Sequence, residues 1–312
     1  MADALQPGTL SADIPTTVVG TPQEQKKPQL PVSWNWLGVL PFLAFVIAFQ
    51  LFPTFSIIVR ALTDSSGNFT LENIRALNDP VVIGSFWSTI RLSFFTAVGG
   101  GILGLLLAYA ITIGGLPSWI RNGILTFSGV ASNFAGVPLA FAFIATLGVT
   151  GIVTRWLKSI GISLYPSFSI YSFWGLVITY IYFQIPLMVL IMAPALSGLR
   201  REWREASENL GATPLQYWRF IGLPILLPPI LGTMALLFSN AFGAQATAFA
   251  LVGGGAGANL VVSLLVASQS GGDVIANVGL GNSLVFGMII IIGITIGIYA
   301  YFRRRSERWL IR

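Results

Sequence analysis

Residues 171–224 read YSFWGLVITYIYFQIPLMVLIMAPALSGLRREWREASENLGATPLQYWRFIGLP. The first 26 residues, 171–196, carry no charge. A helix of that length exceeds the 30 Å or so of bilayer hydrocarbon. Seven charged residues then fall between 199 and 224, before the chain turns apolar again. This is the pattern of a membrane crossing, a water-facing loop and a second crossing.

The rest of the chain repeats it. Of 312 residues, 54% are hydrophobic and only 9% charged, against about 25% charged in soluble domains. That is too little charge to cover a water-soluble fold of this size, so the sequence describes an all-α integral membrane protein. Six apolar stretches, roughly 37–59, 92–113, 122–148, 171–196, 223–251 and 279–302, are each long enough to cross. Residues 1–36 are polar and proline-punctuated and read as a disordered tail without the apolar region of a signal peptide. Residues 303–312 form a basic tail that anchors the last crossing, with anionic-lipid binding compatible.

Basic residues set the orientation. With both termini cytoplasmic, twelve of the 17 Lys and Arg lie inside, among them Lys26, Lys27, Arg121, Arg200 and Arg303. Arg60, Arg75, Arg91, Arg155 and Lys158 lie outside. On that side, loop 60–91 is expected to form short helices, and Arg155, Trp156 and Lys158 read as an interfacial segment. The basic balance thus points to membrane orientation and not to nucleic acid.

Composition excludes much chemistry. There is no Cys and no His, hence no disulfide, no thiolate or imidazole metal site and no His-based catalysis. No glycine-rich phosphate loop precedes any of the three lysines, so the chain has no ATPase site of that kind, and no catalytic residue or metal site is expected. Gly255-Ala256-Gly257 lacks the third glycine of a dinucleotide fingerprint. No Asp or Glu falls inside the six stretches, which argues against a proton-coupled carrier.

Uncharged polar groups at membrane depth are the candidates for a substrate pathway: Asn133, Tyr182, Gln184, Ser239, Asn240 and Gln245. The competing reading is that such amides and hydroxyls join helices by hydrogen bonds. Gly100-xxx-Gly104 and Gly293-xxx-Gly297 are expected to permit close packing within the chain.

The loop 199–224 predicts two helices. Leu199, Trp203, Ala206 and Leu210 share one face, and Arg201–Glu205 and Arg204–Glu208 make i,i+4 pairs. Gly211 is placed to stop the first helix, and Thr213, Pro214 and Gln216 to start the second with a capping box. The result is a knob held outside the membrane.

Glu205-Ala206-Ser207, then Gly211, then Ile221-x-Leu223-Pro224 resembles, in spacing and residue type, the EAA loop of permeases of binding-protein-dependent ABC importers. Serine at 207 replaces the usual second alanine. The resemblance covers roughly residues 37–302 and implies a six-helix type I importer permease in a prokaryotic inner membrane. It further implies a cytoplasmic ATPase dimer as partner, a second permease subunit, identical or a paralogue, and an extracytoplasmic solute-binding protein. In that family the loop seats in a groove on the ATPase. Glu205 would supply an acidic contact, Ala206 a close-packed seat and Gly211 the turn, with Ser207, Ile221, Leu223 and Pro224 completing the motif. ATP would be used by the partner, and no cofactor would be bound by this chain. Leu210-Gly211-Ala212 and Tyr182-Phe183-Gln184-Ile185-Pro186-Leu187 resemble the polyamine, phosphonate and oxyanion group, whereas carbohydrate permeases more often have Asp where Leu210 stands. A carbohydrate-type importer permease or an ATP-independent carrier or channel is the alternative.

Overall fold

The computed structural model describes residues 38–64, 66–253, 261–270 and 278–310, without the side chains of 270, 278 and 305–310. The tail 1–36, with Lys26 and Lys27, and the glycines 254, 255 and 257 lie outside the described residues. The described residues fall into two units, one ending at Leu51 and the other beginning at Phe52.

In the first unit, α1 (Leu40–Val46) has Pro41 in its first turn, where the missing N–H costs nothing. It widens into a π-helical turn over Ile47–Leu51, with the Phe45 and Phe49 rings 4.9 Å apart.

The second unit begins with α2 (Phe52–Ala61), which continues the first crossing and packs along the last helix of the chain. A short loop follows, closed by an isolated bridge between Thr63 and Phe69, then α3 (Glu72–Arg75) and a 3-10 turn, Ala76–Asn78. These are the short helices expected of this loop.

The second crossing, α4 (Pro80–Ile113), begins twelve residues earlier than its apolar stretch. The Asp79 side chain accepts from the Val81 N–H at 2.7 Å, and Pro80 occupies the first turn. Arg91 does not end the helix: its guanidinium lies over the Phe173 ring at 5.7 Å, on an exposed face.

The stretch 122–148 is not one helix. It is α5 (Ser118–Ala131) and α6 (Val137–Leu147), separated by a turn over 132–136. The apolar composition runs through the turn, so periodicity alone does not show it. Gly136 makes the break possible, with φ +76° and ψ −148°, a region only glycine enters readily. A corner at Gly148–Gly151 leads to α7 (Ile152–Ser159), and a folded loop to α8 (Phe173–Ser197). After α9 (Arg201–Asn209) comes α10 (Pro214–Tyr217), which is not a separate helix. A π turn, Trp218–Gly222, carries it directly into α11 (Leu223–Gly243). The fifth apolar stretch therefore ends early, and α12 (Ala246–Val252) is a second break. Then come α13 (Val262–Ser270) and α14 (Val278–Leu310), the sixth crossing.

Six helical segments among the described residues are long and apolar enough to cross a membrane. The core lies where α4, α8 and α11 meet, with α14 against α11. Glycine permits the α4–α8 contact: a Cβ at Gly100 would come within 2.4 Å of the Gln184 Cβ, and one at Gly104 within 2.6 Å of the Ile185 carbonyl oxygen. The other small-residue pair differs from expectation. Among the described residues Gly293 and Gly297 face open space and meet no other helix. Large apolar side chains such as Phe42, Phe49, Phe127 and Phe141 are exposed, as suits a lipid surround.

Candidate functional site

The loop between α8 and α11 is built from local signals. Arg201 Nε donates to Glu205 Oε1 at 2.8 Å and Arg204 Nε to Glu208 Oε1 at 2.9 Å, as the spacing predicted. All four side chains are about half exposed or more, so solvent screening leaves each pair little weight in stability. The hydrogen bond to Glu208, with its charge, raises the pKa of the Arg204 guanidinium. At the end of α9 the Gly211 N–H donates to Glu208 O at 2.9 Å and the Ala212 N–H to Ser207 O at 3.0 Å. That pair of bonds is a Schellman motif, and it needs the φ of +80° found at Gly211. The capping box forms as expected. Thr213 N–H donates to Gln216 Oε1 at 2.7 Å, and Gln216 N–H to Thr213 Oγ1 at 3.4 Å.

The apolar face of α9 is only partly buried. Trp203 is half-buried and Ser207 is buried, while Ala206 and Leu210 point outward. Ser207 can be buried because its hydroxyl is satisfied locally, donating to Arg204 O at 2.7 Å. The tip of the knob is therefore apolar and open: Leu210 is 88% exposed and Leu215 77%, flanked by exposed Glu205 and Ala206. Its root is firm. Tyr217 is buried, Trp218 packs edge-on against Tyr109 at 5.5 Å, and a Cβ at Gly222 would strike the Trp218 ring at 2.6 Å. Ile221, half-buried, and Leu223 and Pro224, exposed, lie at this root and not at the tip. Pro224 has no N–H for the Phe220 carbonyl, which accounts for the widened turn.

The pathway candidates fall into two groups. Gln184 and Ser239 are buried and join helices. Gln184 Nε2 donates to Leu237 O at 2.7 Å, leaving Oε1 buried and unpaired, and Ser239 shares a hydrogen bond with Thr295 at 2.6 Å. Asn133, Asn240 and Gln245 are exposed, and Tyr182 is half-exposed between Phe134 and Phe143. Asn133 Nδ2 donates to Gly129 O at 2.9 Å, closing the end of α5.

Residues that were not among the candidates hold the two helix breaks in place. The Gly136 N–H donates to Thr247 Oγ1 at 2.8 Å, joining the start of α6 to α12. Tyr180 Oη donates to Ala244 O at 2.8 Å, at the end of α11. Asn133 and Gln245 thus flank one junction of two interrupted helices. The signal in the sequence is Gly136-Val137-Pro138, a stop and restart inside an apolar run.

The sequence profile of the family described as binding-protein-dependent transport system inner membrane component matches residues 103–308. The sulfate transport system permease protein CysT of Escherichia coli (strain K12) is 25% identical over 226 residues, 72% of this chain and 77% of that protein. The probable sulfate transport system permease protein cysT of Zygnema circumcarinatum is 27% identical over 241 residues, 74% of this chain and 78% of that one. Among solved structures, a bacterial ABC transporter involved in the import of the acidic polysaccharide alginate superposes with a TM-score of 0.62. It is 18% identical, over 88% of this chain and 95% of that one. The MetNI methionine ABC transporter in an inward-facing conformation gives 0.51 at 19% identity, over 77% and 99%. These two show the fold.

Proposed function

This chain belongs to the family of binding-protein-dependent transport system inner membrane components, and from that premise we propose that it forms half of the pore of an ATP-driven importer for a small oxyanion. The observation that carries the coupling role is the knob. Its folded turn presents Ala206, Leu210 and Leu215 outward beside Glu205, while Tyr217 and Trp218 bind its root to the membrane helices. An apolar tip of that size, exposed next to an acidic side chain, suits a groove on a second protein. That protein is a cytoplasmic ATPase, whose dimer binds and hydrolyses ATP. Its closure and opening shift this chain between inward- and outward-facing states through differential affinity for the two.

Six crossings supply half of a pathway. The other half comes from a second permease subunit, and a solute-binding protein delivers the substrate from outside. The sulfate permeases among the relatives favour the oxyanion over the polyamine or the phosphonate. Asn133, Asn240 and Gln245, exposed near the helix breaks, are neutral groups able to pass an anion without trapping it.

The test is purification of the tagged full chain from its native membrane, with labelled-sulfate uptake measured in cells lacking other sulfate uptake. An ATPase that co-purifies, is lost in Glu205→Lys and Gly211→Pro, and is required for sulfate uptake is the expected result. A chain recovered alone under conditions that keep a known transporter complex intact would favour a carrier or channel. Uptake of a polyamine in place of sulfate would overturn the oxyanion assignment.

A further inference from the structure

The short helix α7 turns its apolar side away from the rest of the chain. Ile152, Trp156 and Ile160 follow one another at i, i+4 and i+8, and all three are exposed, Ile152 at 64% and Trp156 at 61%. Val149, Val153 and Ile162 widen the same apolar surface. A different face carries Arg155 and Lys158, both exposed, at i,i+3 spacing. Thr154, buried, occupies the third face and seats the helix on its own chain.

This arrangement is built and fixed. The far end of α7 repeats the Schellman motif of the knob: Gly161, at φ +89°, donates to Lys158 O at 3.1 Å and Ile162 N–H to Leu157 O at 2.9 Å. The near end is a corner. Gly151 N–H donates to Gly148 O at 2.9 Å, and Tyr165 Oη donates to the last carbonyl of α6, Leu147 O, at 3.0 Å. By length alone Val137–Ser159 would cross, but the Gly148–Gly151 corner parts α7 from α6, and α5 with α6 holds 25 helical residues, about 37 Å, enough for the third crossing; α7 starts within about 18 Å of its end. At the same membrane face the start of α8 exposes Tyr171 and Trp174, residue types that settle at headgroup level.

We propose that α7 lies in the plane of the membrane surface opposite the 199–224 knob, its Ile152–Trp156–Ile160 face in the acyl boundary and Arg155 and Lys158 on the phosphates of anionic phospholipid. The chemistry is that of an interfacial amphipathic helix, in which apolar area supplies depth and the cations select headgroup charge. The two faces are adjacent on the helix, as they must be for one to enter the bilayer while the other stays at its phosphates. The inference requires that the chain span a membrane and is independent of the substrate.

Because the chain has no cysteine, single cysteines report cleanly. The full chain is reconstituted in vesicles of phosphatidylethanolamine and phosphatidylglycerol, with a nitroxide at Ile152→Cys, Trp156→Cys or Ile160→Cys and, for comparison, at Lys158→Cys. The first three are expected to be relaxed more by oxygen than by a water-soluble nickel chelate, and the fourth the reverse. Three labels that favour nickel would place the face in water and overturn the proposal. So would labels that favour nickel until the solute-binding protein is added and are then shielded, since the face would be a protein dock. The headgroup part is read by the phosphatidylglycerol retained on the chain after detergent extraction. It should fall about fivefold for Arg155→Gln and for Lys158→Gln, and stay unchanged in Arg155→Lys. Equal retention in all variants would remove the anionic preference. Monodispersity of each variant in detergent separates these outcomes from misfolding.

Discussion

Gln184 is buried between α4, α8 and α11, close to Gly100, and spends its amide N–H on the Leu237 carbonyl. Its own oxygen has no partner. An orphan acceptor in a low-dielectric core is costly, so removing it should cost little. Gln184→Leu is therefore expected to unfold in detergent within about 1 kcal/mol of the parent, or to be the more stable of the two. Gly100→Val should lose about 1–3 kcal/mol, because the α8 backbone has no room to yield. Thermal unfolding of the two variants separates these outcomes. A Gln184→Leu protein of unchanged stability that fails in uptake would give the residue a part in transport beyond joining helices.

At the scale of elements, the knob was legible because its signals are short-range. Gly211, Thr213, Pro214 and Gln216 each do within four residues what their chemistry predicts. Thr213→Ala should cost about 1 kcal/mol of local stability, and Gly211→Ala a similar amount, by forcing a Cβ into a left-handed turn. Hydrogen exchange at Leu215–Tyr217 should quicken about fivefold in each, while the amides of α8 keep their rate. Equal change in both regions would mean that the knob does not open on its own. The break at 132–136 carries only a local mark, Gly136-Val137-Pro138, and the break at 243–246 no comparable one, since Phe134, Val137, Phe242 and Ala246 keep the composition apolar through both. What joins them is a long-range bond, Gly136 to Thr247, that no window of sequence contains. On α9 burial does not follow the apolar face: Ser207 satisfies its own hydroxyl and is buried, while Ala206 and Leu210 are exposed.

For the whole molecule, the six crossing-length segments among the described residues agree in number with the six apolar stretches, whereas the side of the membrane occupied by each loop rests on the placement of basic residues. The cysteine-free background allows a direct test. Leu210→Cys should react with an impermeant maleimide only in inverted vesicles, and Asn68→Cys only in right-side-out ones. Reaction of both from one side would break the alternation that puts the knob and the 62–79 loop on opposite faces.

The run from Pro214 to Gly243 is helical without a gap over 30 residues, so its length is about 45 Å. One end carries Leu215 at the tip of the knob, and the other stops at Ala244, which Tyr180 holds. With the knob docked on an ATPase as proposed, such an element would work as a lever pivoting at the Tyr217–Trp218 root, so that a small tilt imposed at Leu215 would be returned enlarged at the junction beside Gln245.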